Sequence, residues 1–323
     1  MSSFQHRNHP HLPAVMEVTR LAGGSAILTE NPPKAGSQVS GGFFNSPFSR
    51  GLSRVARRRP DLVAAALFVF LLLVAAIQPA LLTSTDPLEA SARDAFIGPS
   101  AAHPLGTDEN GRDVLSRIIH GAGASLFLGL GATAIGLAAG IPLGLIAGLA
   151  HRWIGGAVMR FVDVLLAFPD LLLALVIITF WGEGLTNTIV AIGVASVPRY
   201  ARMVHAQTQV VRRASYVEAA RTLGLHPLAL IWKHVLPNSI KPVFLLATIG
   251  IGGKIAAGAS LSFLGFGAPP PAAEWGSMIS TGRNFLGNAW WLTVLPGVAI
   301  TLTVLSITAL GRECLRRSEG KVA

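Results

Sequence analysis

The stretch LVAAALFVFLLLVAAIQPALL, residues 62–82, runs for 21 positions without a charged side chain. A bilayer's hydrocarbon core is about 30 Å thick, and about 20 apolar residues in a helix are needed to cross it. This stretch meets that requirement. It follows Arg54, Arg57, Arg58 and Arg59. Basic residues before an apolar run also mark secretory signal peptides. This run is too long and too far along the chain for that, and is expected to persist as a spanning helix.

Working outward, the stretch SLFLGLGATAIGLAAGIPLGLIAGLA, residues 125–150, is likewise uncharged. Six spans are expected in all, near 61–82, 122–150, 160–181, 186–206, 239–264 and 289–311. Helices are expected throughout, because a helix satisfies its own backbone groups in lipid. The expected fold class is therefore an all-α integral membrane protein. Residues 61–312 form its membrane domain. Residues 1–60 form a basic, Pro-, Gly- and Ser-rich N-terminal extension expected to lack order. Residues 313–323 form a short tail.

Composition agrees. Hydrophobic residues make up 51% of the 323 residues and charged residues 13%. Soluble domains carry about 25% charged residues. The net charge of +10 suits either nucleic acid or the positive-inside bias of a membrane protein. The distribution decides between them. With the N-terminus in the cytoplasm, cytoplasmic segments from Arg50 to Lys321 hold 18 Lys and Arg. The opposite side holds four, Arg93, Arg112, Arg117 and Arg283. The bias accounts for the charge without nucleic acid and places both termini in the cytoplasm.

Between the fourth and fifth spans lies RRASYVEAARTLGLHPLALIWKHVLPN, residues 212–238, too polar to span. Ser215 and Glu218 read as an S-x-x-E capping box that starts a helix at Tyr216. Gly224 can take the left-handed conformation that ends it. Pro227 suits the first turn of a second short helix. Leu228, Ile231, Trp232 and Val235 give that helix an apolar face, and Pro237 stops it. Helices this short are marginal alone. They need either the cytoplasmic ends of the spans or a soluble partner with a groove. A helix-turn-helix DNA reader fits poorly, because two membrane spans adjoin the loop and no three-helix core does.

The pattern E-A-A-x-x-x-G, then I-x-x-x-x-L-P, resembles the EAA loop of bacterial ABC importer permeases. The matching residues are Glu218, Ala219, Ala220, Gly224, Ile231, Leu236 and Pro237. Further segments resemble the C-type permease of the dipeptide/oligopeptide/nickel family. They are HPLGTDENGRDVLSRIIHGAGASL (103–126), FVDVLLAFPDLLLAL (161–175), LSFLGFG (261–267), EWGSMI (274–279) and AWWLTVLPGVAITLTVLSITALG (289–311). The resemblance covers about residues 60–312. It implies the type I importer permease fold, in which the EAA loop is a coupling helix seated in a cleft of an ATPase. It also implies a second homologous permease, two ATPase subunits or domains, and an extracytoplasmic binding protein. Peptide is the implied cargo, with nickel or another small solute next. Glu218 has two readings, contact with the ATPase or cap of its own helix.

Four other features bear on function. Gly136, Gly140, Gly144 and Gly148 line one helix face and permit close helix approach, either within the chain or between permeases. Residues 112–120, with Val114, Leu115, Ile118 and Ile119 on one face, read as an amphipathic helix on the outer membrane surface. Asp108, Asn110, Arg112 and Asp113 there are candidate outer-gate or binding-protein contacts. Lys254 lies inside the fifth span, where an ionisable group is a functional candidate by default. It lines the translocation path, pairs with an acid such as Asp170, or snorkels. Asp163 is expected to pair with Arg160 or Arg199.

Chemistry of its own is not expected. Asp163 and Asp170 are two turns, about 10 Å of rise, apart, with no nucleophile–base arrangement nearby. His103, His120, His205, His226 and His234 lack metal-ligand spacing, and no cofactor is implied. No G-x-x-x-x-G-K-[ST] phosphate loop is present, so ATP hydrolysis belongs to a partner. The rival class is a gradient-driven secondary transporter, which inverted repeats would favour; no convincing repeat is seen.

Overall fold

The computed structural model describes residues 60–318. The N-terminal extension expected over 1–60, except Pro60, and residues 319–323 of the tail lie outside the described residues. Ten helices carry the fold among the described residues: α1 Pro60–Ile77, α2 Val114–Leu149, α3 Arg152–Leu166, α4 Asp170–Trp181, α5 Leu185–Val211, α6 Ser215–Thr222, α7 Pro227–Leu230, α8 Leu236–Phe263, α9 Trp275–Gly282 and α10 Trp291–Ser318. The only strand-like pairing described is one bridge between Thr107 and Asp113.

Helix α1 is apolar all round. It buries Leu62, Ala65, Leu72 and Ala75 and exposes Leu67, Phe70 and Ile77. A helix apolar on every face belongs in a membrane or a large core. Four helical stretches are long and apolar enough to cross a membrane: α1, α2, Pro227–Phe263 and α10. A bent pair, α3 with α4, makes a fifth. Helix α5 has 27 residues, about 40 Å of rise. It stands outside that group because its second half carries Arg199, Arg202, His205, Gln207 and Gln209.

Four expected boundaries change. The first span stops at Ile77, where Pro79 opens a separate 3-10 turn. The second span begins at Val114 and runs for 36 residues, so residues 112–120 are no separate surface helix. Asp113 caps it, accepting from the Ser116 N–H at 2.8 Å. The expected third span is broken: α3 and α4 meet at 90°. Pro169 supplies the reason, since it donates no N–H and disfavours helical geometry at Phe168. The last span continues through residues expected in the tail, to Ser318.

The glycine stripe packs within the chain. A Cβ on Gly140 would lie 2.6 Å from the Tyr200 Cβ, and one on Gly148 would lie 2.7 Å from the Thr208 methyl. Small residues at that spacing let α2 lie against α5 along its length.

The start of α2, α9 and the start of α10 gather at one end of the bundle. The Trp275 indole donates to the Ile118 carbonyl at 2.9 Å, and the Trp291 indole to that of Thr107 at 3.0 Å. At the other end, Val211, Val217, Leu230 and Val235 form a small core with Leu149 and Leu225 against it. This second end holds the loop of residues 212–238.

Candidate functional site

The loop is built from two turns of different kinds. Helix α6 begins at Ser215 with Ala214 in the cap position and no side-chain cap hydrogen bond. The expected capping box is therefore not formed. Ser215 is already inside the helix, one residue too late for its hydroxyl to reach the orphan amide. Glu218 is exposed and is not a cap. Gly224 ends the helix at φ +81°, the left-handed conformation expected of it. Its side faces open space, with nothing within 4 Å of a Cβ placed there.

Helix α7 starts at Pro227, as expected, and leads into a π-helical turn, Ile231–Val235, and then α8. Pro237 does not stop it. It lies in the first turn of α8, directly after the π-helical turn, and the helix continues through it. The second short helix is thus the lower end of the fifth span, and Pro227–Phe263 runs for 37 residues.

The expected apolar face divides in two. Leu230 and Val235 are buried with Val217, and Ile231 is half-buried. Leu223 is 86% exposed, Trp232 68% and Leu228 60%, while Tyr216 is also exposed. Ala219 is exposed and Ala220 packs on the small core. Leu236 and Pro237 are half-buried beneath. Beside them Arg212, Arg213, Glu218 and Arg221 ring a cavity of about 390 Å³. Arg212 is anchored, donating to the Gly148 carbonyl at 2.7 Å.

A second site is an open hollow on one side of the bundle, with Asp170 and Arg199 at its half-exposed edge. A cavity of about 600 Å³ opens among α4, α5 and α8. Asp170, Arg199, Tyr200 and Lys254 are its chemistry-bearing walls. Asp170 pairs with Arg199 and not with Lys254, and Asp163 pairs with Arg202 at 2.8 Å and not with Arg160 or Arg199. Lys254 stands over the Tyr200 ring, its Nζ 5.1 Å from the centroid. A cation over an aromatic face is held by the ring quadrupole. Arg199 and Tyr200 were missed as site residues. The available signal was an Arg-Tyr pair directly after Pro198, where the apolar first half of α5 ends.

Asp108, Arg112 and Asp113 are buried, and Asn110 is exposed. Asp108 accepts from the Asn110 and Arg112 amides at 2.8 and 2.9 Å and from Arg112 Nε at 2.7 Å. Arg117 Nε lies 3.5 Å from the same carboxylate and its guanidinium donates to the Pro87 and Pro271 carbonyls. Asp113 Oδ2 also lies 3.0 Å from His103 Nδ1. These groups clasp the segments before α2 and α9 together. Glu274 is buried at the start of α9, its carboxylate accepting from the Gly276 and Ser277 amides at 2.9 Å each. Burial pushes its pKa above the usual carboxylate value, and those two amides oppose the shift.

Residues 140–317 match the model of the binding-protein-dependent transport system inner membrane component family. The chain is 38% identical over 266 residues to the dipeptide transport system permease protein DppC of Alkalihalophilus pseudofirmus, covering 82% of this chain and 87% of that protein. It is 41% identical to the di/tripeptide transport system permease protein DppC of Pseudomonas aeruginosa, over 76% of this chain and 83% of the other. It is 40% identical to the glutathione transport system permease protein GsiD of Escherichia coli, over 79% and 84%. Among solved structures, an inward-facing MetNI methionine ABC transporter chain superposes with a TM-score of 0.52 at 20% identity, covering 62% of this chain and 95% of that one. That likeness carries the fold. The matched segment begins within α2 and takes in α3 to α10, including the broken span, the loop closed at Gly224 and the cavity around Lys254. On that match and those identities, the chain belongs to the family of binding-protein-dependent transport system inner membrane components, multi-pass permeases of the inner membrane.

Proposed function

We propose that the chain is one of two permease subunits of an ATP-driven importer of di- and oligopeptides, and that residues 212–238 couple it to an ATPase. The carrying observation is the loop. One set of its apolar residues is spent on the chain's own small core, while Leu223, Leu228, Trp232 and Tyr216 stay uncovered. An apolar group of this kind on an aqueous face suits a partner's cleft. Arg212, Arg213 and Arg221 beside it fit the cytoplasmic side and support a cytoplasmic position for the described C-terminal end of α10. The names of the relatives support peptides as cargo.

In this reading two ATPase subunits close on ATP and displace α6 and α7. The continuous helix from Pro227 to Phe263 carries that displacement into the membrane. A second permease completes the pore, and an extracytoplasmic binding protein delivers the peptide at the opposite end. Coupling of this kind needs an element with two arrangements that both sites bias.

The test is reconstitution of both permeases in liposomes, with and without the ATPases, with loaded binding protein inside or outside. Peptide uptake is expected only with ATPase, ATP and external binding protein. Uptake driven by an ion gradient without the ATPase would overturn the reading.

A further inference from the structure

The cavity among α4, α5 and α8 holds three charged side chains. Measured along the helices from their outer ends, Lys254 is about 14 Å below Phe263, Asp170 about 17 Å below Trp181 and Arg199 about 21 Å below Leu185. They therefore share one layer near the middle of the membrane. Asp170 and Arg199 neutralise each other. Lys254 has no carboxylate within 4 Å among the described residues, and its ammonium lies over the face of Tyr200. The lining thus bears one uncompensated positive charge beside about 600 Å³ of space.

An unpaired ammonium at that depth is costly. The packing nevertheless keeps it in place. Tyr200 is 3% exposed, wedged against Gly136 and Gly140 of α2. Gly250 and Gly253 on α8 keep the wall beside Lys254 free of side chains. The ammonium is therefore oriented, roomy on one side, and short of an anion.

We propose that this cavity is a solute site in the translocation path and that Lys254 receives the solute's free carboxylate. The proposal rests on reading the chain as a peptide permease and adds what that site selects. A peptide's terminal carboxylate supplies the missing anion, and its apolar side chains fit the Leu171, Ala174, Ile192 and Leu246 walls. A peptide amide supplies no anion, and a bare divalent cation is repelled.

The test uses the whole transporter, both permeases with ATPases, in liposomes, with binding protein saturated by a dipeptide or by its C-terminal amide. Variants are Lys254→Met and Lys254→Arg. Lys254→Met removes a charge that lacks a counter-ion, so its folding is expected to hold. A charge-assisted hydrogen bond is worth about tenfold or more. Wild type is expected to carry the free acid at least about tenfold faster than the amide. Lys254→Met is expected to lose that advantage, with uptake of the acid falling to the amide's level, and Lys254→Arg to keep most of it. Equal wild-type rates for the two peptides overturn the proposal. So does an equal slowing of both by Lys254→Met, which would mark a structural role. ATP hydrolysis stimulated by loaded binding protein is recorded in each case. Its persistence alongside lost selectivity isolates the failure to Lys254; its absence in wild type would instead sink the importer reading.

Discussion

The Arg202 guanidinium lies 2.8 Å from the Asp163 carboxylate, and one turn earlier on the same helix Arg199 holds Asp170. Asp163 belongs to α3 and Asp170 to α4, so α5 grips both arms of the 90° bend. Proline explains why the helix breaks; the two arginines explain why the arms stay where they are.

Each of Arg202→Ala and Asp163→Ala is expected to lower stability modestly, by about 1 kcal/mol or less, because both side chains are half-exposed. The double variant should lose no more than the worse single one. Denaturant or thermal melting of the purified protein in detergent measures this cycle. Additive losses would show that the pair contributes nothing jointly.

Close approach of α2 and α5 gives a sharper expectation. Gly140→Leu drives a side chain into Tyr200 and Ala201, with its Cβ 2.6 Å from the Tyr200 Cβ. Overpacking of this kind costs about 1–3 kcal/mol, occasionally more. Gly156→Ala on α3 meets nothing within 4 Å and should be neutral or slightly stabilising, since Ala is the better helix former. Melting temperatures of the two variants, compared side by side, check the contrast.

Gly224 differs from both. Its surroundings are empty, but its backbone is at φ +81°. Gly224→Ala should therefore cost about 1–2 kcal/mol from backbone strain alone. Asn tolerates this conformation better, so Gly224→Asn should restore much of the loss. The readout is ATP hydrolysis stimulated by loaded binding protein. A Gly224→Trp variant that assembles but hydrolyses ATP without regard to substrate is also expected. Unchanged coupling in Gly224→Trp would count against the loop as the docking element.

Ser215 and Glu218 separate capping from contact. A formed capping box loses about 1 kcal/mol when its Ser becomes Ala. Here Ser215→Ala should leave both melting and coupling unchanged, because no such bond exists. Glu218→Ala should likewise leave melting unchanged. A drop in stimulated ATP hydrolysis in that variant alone would assign Glu218 to the partner.

Much of this was legible in the sequence. Uncharged runs located the first two spans, though not their ends, and Gly224 and Pro227 located the loop's two turns. What sequence could not supply was continuity and partnership. Residues 112–120 carry a surface helix's pattern, yet Arg112 and Arg117 are buried because Asp108 and two carbonyls receive them. Pro237 carries a stop signal, yet a proline in a first turn begins a helix as readily as it ends one. Ser-x-x-Glu matched the capping box in spacing but not in phase. The acid paired with each arginine of α5 depended on the bend at Pro169, which brings Asp170 rather than Asp163 to Arg199.

Glu274 gives an expectation about pH. Its carboxyl is raised above the usual value, chiefly by burial, so the folded protein holds that proton more tightly than the unfolded chain does. Below the unfolded value both states are protonated and the group contributes no pH dependence. As pH rises from there through the raised folded value, the unfolded state releases its proton first, and stability falls. Above the folded value the loss is constant. Glu274→Gln removes the titration, so its stability should be flatter across that acidic window, offset by a constant loss. The loss arises because an amide has one acceptor oxygen for two backbone donors, Gly276 and Ser277. Melting temperature in detergent against pH, for wild type and variant together, measures both effects. A wild-type slope that persists in Glu274→Gln would assign the titration to another group.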